Sequence, residues 1–139
     1  MNTAVVVVSH SKALAEGVRE LAMQMARANT AVWAVGGTDD GRIGTSADAI
    51  RDALEQALHV ANEVVVLMDL GSAHLNTVMA IEMLPEGLRP RVFMADAPLV
   101  EGAVLAVVAA ASDDRADDVR LAAEEAREMH KLMSGGANA

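Results

Sequence analysis

Cysteine and tyrosine are absent from the 139 residues of this chain, and tryptophan and phenylalanine occur once each, as Trp33 and Phe93. Without cysteine there is no disulfide, no thiolate metal site and no thiol nucleophile. With so few aromatics, a composition that is 53% hydrophobic has to build its core from Val, Leu, Ile, Ala and Met. The same scarcity counts against a flavin-binding module, which would stack its ring on aromatic side chains. Only Lys12 and Lys131 are lysines, and 11 basic against 20 acidic residues leave a net charge of −9. No basic stripe exists for a phosphate backbone, so nucleic acid is not an expected partner. The start of the chain, Met1-Asn2-Thr3 and then Ala4 to Val8, has no basic segment of the secretory type. The longest apolar run, Ala103 to Ala111, is about half of what spans a bilayer. A soluble cytoplasmic protein with no membrane partner is expected.

Several chemical motifs are missing as well. There is no Gly-x-x-x-x-Gly-Lys-Ser/Thr, and the glycine-rich stretch Gly36 to Gly44 offers only Arg42 as a cation, which argues against a self-sufficient P-loop kinase. No set of His, Asp and Glu has metal-ligand spacing, so no metal is expected. A serine hydrolase would want a Gly-x-Ser-x-Gly elbow, which is absent. A two-component receiver would want an acidic pair after the first strand and a lysine late in the sheet. Ser9-His10-Ser11 stands in the first place, and no strand holds a lysine.

What is present alternates between two periods. Thr3 to Ser9 is a valine-rich run of the kind that forms a strand buried on both faces. Ser11 to Arg27 sets Leu14, Val18, Leu21 and Met25 at helical spacing. Ala31 to Val35 reads as a second strand, followed by the glycine loop with Asp39-Asp40. Thr45-Ser46-Ala47-Asp48 has the form of a capping box, opening a helix with Ile50, Leu54, Leu58 and Ala61 on one face. Glu63 to Leu70 is a third strand, broken by Gly71-Ser72. A helix follows to about Leu84. Arg91 to Ala95 is a fourth strand, and Pro98 suits the first turn of a helix running to about Ala111. That helix is apolar on nearly all sides, so it is either deeply buried or lies in a subunit interface, and the interface is the favoured reading. A last helix covers about Arg115 to Met133. Strands alternating with helices call for an α/β fold, a parallel sheet covered by helices on both faces. One domain over 1–134 is expected, with a flexible tail at 135–139.

In an open parallel sheet, ligands bind beyond the carboxyl ends of the strands, where strand order reverses. His10 lies there, between a strand end and a helix start. A neutral imidazole nitrogen can attack phosphorus if the other nitrogen keeps its proton, and a carboxylate accepting that proton's hydrogen bond fixes the tautomer. Asp69 is the candidate carboxylate if the first and third strands are neighbours. A phosphoryl group on His10 would then face backbone N–H groups at the start of the first helix, a position favouring anions by roughly 0.3–1 kcal/mol. Because the chain has few cations, amides and hydroxyls must supply the donors. Ser9, Ser11, Gly37, Thr38, Thr45, Gly71 and Ser72 are the candidates. Each feature read alone has a structural alternative: a strand-end histidine in a core, Asp69 as a helix cap, the glycines as a loop. His59 and His130 read as solvated. His74 opens the third helix near the expected site and is a second candidate for touching a partner or the phosphoryl group.

Four segments together carry a resemblance. Ser9-His10-Ser11-Lys12-Ala13-Leu14-Ala15-Glu16-Gly17-Val18 is similar to the phosphohistidine segment of the DhaM family, the phosphotransferase subunits of dihydroxyacetone kinases driven by phosphoenolpyruvate. Asp39-Asp40 with Ile43-Gly44-Thr45, then Met68-Asp69-Leu70-Gly71-Ser72-Ala73, then Ala97-Pro98-Leu99-Val100-Glu101-Gly102 match in order. The resemblance implies the mannose-type IIA fold, a four-stranded parallel sheet in the order 2-1-3-4, and a homodimer. It implies a phosphotransferase with a phosphohistidine intermediate: His10 receives the group from the phosphocarrier protein HPr and passes it to ADP held on the DhaL subunit. DhaL with DhaK then phosphorylates dihydroxyacetone. No cofactor is implied. Some family members carry fused phosphocarrier and enzyme I-like domains, which 139 residues cannot hold, so a separate donor is expected. The nearest alternative is the IIA domain of a mannose-type sugar phosphotransferase system. Those domains typically have glycine after the active histidine, where Ser11 stands here.

Overall fold

The computed structural model describes residues 1–132. The expected tail, 135–139, and Met133 of the last helix lie outside the described residues.

The sheet is built from the four apolar runs. β1 (Thr3–Ser9), β2 (Val32–Gly36), β3 (Glu63–Met68) and β4 (Val92–Met94) are all parallel, in the order β2-β1-β3-β4. Ala4 through Val8 are fully buried without alternation because helices cover both sides. Each fully buried valine contributes about 1.5–3 kcal/mol of hydrophobic stabilisation. Val5, Val7, Val65 and Leu67 face one layer, made by α1 (Lys12–Ala22), α4 (Leu99–Ala111) and α5 (Ala116–Glu124). Ala4, Val6, Val8, Val64 and Val66 face the other, made by α2 (Ala47–Val60) and α3 (Gly71–Glu82). The result is the three-layer α/β sandwich expected from the sequence, in the strand order that the family resemblance implies.

Four details differ from the sequence reading. In α1 the buried residues are Ala15, Val18 and Ala22, while Leu14, Leu21 and Met25 are exposed. Two overlapping stripes share Val18, and close packing selects the alanine stripe. The chain then tightens into a 3₁₀ turn at Met23–Met25 rather than continuing to Arg27. The cap of α2 is Ser46, whose Oγ accepts from the Ala49 amide at 3.2 Å; Thr45 is bonded elsewhere. The last helix stops at Glu124, followed by a 3₁₀ turn to Glu128, where Met129 turns to extended backbone and stands exposed.

The fourth difference concerns α4. Much of its apolar surface is covered within the chain, with Leu99, Ala103, Ala106, Val107 and Ala110 buried against the sheet, α1 and α5, while Val100 and Val108 stay exposed. Gly102 permits the close approach: a Cβ there would lie 2.9 Å from both Ala97 Cβ and Leu67 Cδ2. Packing within the chain therefore accounts for most of its apolar character, Val100 and Val108 apart.

Candidate functional site

The chain leaves β1 toward β2 on one side and reaches β3 on the other, so the switch point lies between the ends of β1 and β3. β1 ends at Ser9 and Ser11 caps α1, its Oγ accepting from the Leu14 amide at 3.1 Å. His10 is confined to the corner between them. Past the end of β3, the Asp69 amide still bonds to the Val8 carbonyl at 3.2 Å, which brings Asp69 alongside Ser9 and His10. The glycine loop closes the third side, where the Gly44 amide donates to the His10 carbonyl at 2.9 Å.

Asp69 organises this corner. Its Oδ1 lies 2.8 Å from His10 Nδ1 and accepts the Leu70 amide at 2.7 Å. Its Oδ2 accepts the Ser9 hydroxyl at 2.7 Å and the His10 amide at 2.9 Å. Side-chain exposure is 19% for His10 and 12% for Asp69, so the pair is sheltered but reachable. Burial pushes the Asp69 carboxyl up, but hydrogen bonds from Ser9 Oγ, the His10 amide, the His10 ring and the Leu70 amide outweigh it and hold the group below its ordinary 3.8. An ionised Asp69 accepts at Nδ1, so Nδ1 carries the proton and Nε2 keeps its lone pair.

The ring's direction departs from expectation. Nε2 contacts Ser72 Oγ in the first turn of α3, not the start of α1. At the start of α1 the Leu14 amide is taken by the Ser11 side chain, and the amide of the cap residue Ser11 by Ser9 Oγ at 3.0 Å. The start of α3 has no side-chain cap. Asp69 holds Nδ1, and the opposite nitrogen is thereby aimed at Gly71 and Ser72. Asp69 is not itself the helix cap; Leu70 occupies that position.

The candidate donors divide accordingly. Ser72 touches the ring, and Gly71 begins the helix beside it. Ser9 is fully buried with its proton committed to Asp69, so it cannot also serve a phosphoryl group. Thr38 is spent inside its loop: its hydroxyl donates to Asp40 and accepts the Arg42 amide at 3.1 Å, while its own amide bonds to the Arg42 carbonyl at 2.9 Å. Thr45 accepts from Asn76 Nδ2, and that bond joins the loop to α3. Arg42 is paired with Asp40 at 2.8 Å. Gly37 is buried at φ +79°, a left-handed turn that only glycine adopts freely. Asn76 is the residue the sequence reading missed; nothing in its spacing distinguished it from an ordinary helix asparagine.

Gly36, the last residue of β2, lets the chain pass close against the backbone that enters α1. A Cβ there would sit 2.5 Å from the Ser11 carbonyl oxygen and 2.8 Å from Lys12 Cα, both backbone atoms. Gly36→Ala is expected to destabilise the domain by about 1–3 kcal/mol in denaturant unfolding. Gly17→Ala is the control: a Cβ there meets nothing within 4 Å, so stability should be unchanged or slightly raised.

His74 is exposed on α3 and lines a cleft of about 520 Å³ with Met68, Asp69, Met94 and Asp96. It shares a wall of the site with Asp69, and among the described residues no hydrogen bond joins it to Asp69 or Ser72. His59 and His130 are exposed, as expected. Among the described residues no group of three His, Asp or Glu side chains could hold a metal ion.

A parallel sheet in the order 2-1-3-4, with a carboxylate-held imidazole at its switch point, is the arrangement that the family resemblance implies. The family described as "PTS system fructose IIA component" matches residues 4–120. The chain is 41% identical over 133 residues to the phosphoryl donor subunit DhaM of the dihydroxyacetone kinase of Escherichia coli, covering 94% of this chain and 28% of that protein. It is 38% identical over 104 residues to a DhaM subunit of Listeria innocua, covering 75% of this chain and 82% of that protein. Among solved structures, the protein EF1359, described as of unknown function, superposes with a TM-score of 0.80 at 33% identity, over 90% of this chain and 95% of that one. The chain belongs to the DhaM family of mannose-type IIA domains. It spans a little over a quarter of the E. coli relative's length and most of the Listeria one's.

Proposed function

We propose that this domain carries a phosphoryl group on His10 Nε2, received from the phosphocarrier HPr and passed to ADP held on a DhaL subunit, so that dihydroxyacetone is phosphorylated with DhaK. The observation that carries the reading is the His10–Asp69 contact at 2.8 Å with Nε2 turned to the start of α3. The Nε2 lone pair attacks the incoming phosphorus and the donor imidazole leaves. Asp69 holds the Nδ1 proton and balances the charge that grows on the ring as the N–P bond forms. The Ser72 hydroxyl turns from Nε2 to a phosphoryl oxygen, and the uncapped amides of α3 face the same anion. In phosphoryl transfer most of the rate comes from positioning and charge stabilisation, which amides and hydroxyls can supply. The names of the DhaM relatives support the choice of acceptor system over sugar transport.

The reading includes one functional unit over residues 1–134, a cytoplasmic setting and a homodimer. Among the described residues no helix is long and apolar enough to cross a membrane. Along α3 and its C-cap, Leu75, Met79 and Met83 are exposed, an apolar face that a second copy would cover.

The test is reconstitution with enzyme I, HPr, DhaL, DhaK, ADP and phosphoenolpyruvate. Dihydroxyacetone phosphate is expected to form only when this chain is present. Support of mannose-type sugar uptake without dihydroxyacetone phosphorylation would overturn the acceptor.

A further inference from the structure

Three polar residues are fully buried among those described: Thr3, Ser9 and Thr77. Thr3 and Thr77 donate to backbone carbonyls, of Asp114 and Ala73, each at 2.8 Å, as buried hydroxyls commonly do. Ser9 alone donates to a carboxylate, and that carboxylate holds the imidazole. The direction of its proton is fixed from both sides. Ser9 Oγ accepts the Ser11 amide at 3.0 Å, which leaves its single hydrogen to Asp69 Oδ2 at 2.7 Å.

The two oxygens of Asp69 thus have separate tasks. Oδ2 is held by Ser9 Oγ and the His10 amide, while Oδ1 meets the ring and the Leu70 amide. A carboxylate rotates about one bond, so the donors on Oδ2 set where Oδ1 stands. Of those two, only the Ser9 hydroxyl comes from a side chain.

We propose that Ser9 is a positioning residue for phosphoryl transfer, orienting Asp69 so that the His10 ring keeps its proton on Nδ1 and presents Nε2. The proposal rests on the phosphohistidine reading of His10. Without the Ser9 hydroxyl, Asp69 turns more freely and becomes more basic. A carboxylate that turns away from Nδ1 no longer holds the ring's proton there, and a ring that carries its proton on Nε2 has no nucleophile to present. The other ionisable groups facing Asp69 are His10 at the end of β1, and His74 and Asp96 across the cleft.

The experiment is a double-mutant cycle in transfer rate from phosphorylated HPr. Ser9→Ala is expected to slow transfer roughly tenfold when Asp69 is present. In an Asp69→Asn background the same change should cost less than about twofold, because Ser9 acts through the carboxylate. Ser9→Thr, which keeps the hydroxyl, should restore most of the rate. An equal loss in both backgrounds, or no loss in the first, overturns the proposal. A second arm needs no transfer at all: the Asp69 carboxyl carbon is followed by NMR against pH. Its midpoint should rise in Ser9→Ala, and an unmoved midpoint overturns the proposal even if His10 proves not to be phosphorylated.

Discussion

Replacing His10 by alanine is expected to abolish phosphoryl labelling by enzyme I, HPr and phosphoenolpyruvate, while His74→Ala labels as the parent does. Both imidazoles lie near the ends of β1 and β3, so proximity alone does not separate them. Their partners do. His10 Nδ1 is held by a carboxylate at 2.8 Å and its other nitrogen faces the uncapped start of a 12-residue helix. His74 stands exposed within that helix, and no carboxylate holds it in one tautomer among the described ion pairs. A free imidazole divides its proton between two nitrogens and has no fixed direction of attack. His10→Ala also leaves the core untouched, since the ring lies outside both apolar clusters. Loss of labelling in a domain that still folds, weakened only by about 1–2 kcal/mol for the lost bond to Asp69, is therefore the expected pair of results. Equal labelling of His10→Ala and the parent would refute the site.

Asp69→Ala should slow labelling by about two orders of magnitude through lost orientation of the ring. The domain stays folded but is weakened. Four donors lose their acceptor, among them the buried Ser9 hydroxyl, and a buried donor left unpaired costs about 1–3 kcal/mol. Asp69→Asn should retain more stability, because an amide oxygen still accepts. The pH dependence follows from the direction of the Asp69 shift. The folded-state value is depressed below 3.8, so the stabilisation is fully present above the unfolded value and is lost as pH falls through the folded one. The difference in unfolding free energy between the parent and Asp69→Ala should hold steady from pH 7 to about pH 5. It should narrow below about pH 4. A gap that widens on acidification would contradict the assigned shift. A transfer rate equal to the parent's would remove Asp69 from the chemistry.

Much of this architecture was legible in the residues. The valine run of β1 and the apolar run of β3 announce strands buried on both faces, and the helices between them force parallel pairing. The order 2-1-3-4 came from the family resemblance; with it, His10 and Asp69 become neighbours. What the residues did not disclose is direction. Periodicity in α1 marks an apolar side, yet Leu14-Val18-Leu21 and Ala15-Val18-Ala22 fit it equally. The choice between them depends on how closely α1 approaches the sheet. Hydroxyls pose the same difficulty in the site. Ser9 and Thr38 stand where phosphoryl donors are wanted, but each has one proton, and its direction is decided by the folded partner: the distant Asp69 for Ser9, the closed turn of the loop at Asp40 and Arg42 for Thr38. The turn of the ring toward α3 was hidden for the same reason, since it follows from which nitrogen Asp69 takes.

That choice of nitrogen is the centre of the account, and it can be read atom by atom. The ¹⁵N-labelled chain is phosphorylated through HPr and the histidine nitrogens are assigned by ¹H–¹⁵N NMR, with coupling to ³¹P marking the bonded atom. Phosphorus on His10 Nε2, with a proton retained on Nδ1, is the expected result. Phosphorus on Nδ1 of His10, or on either nitrogen of His74, would contradict it.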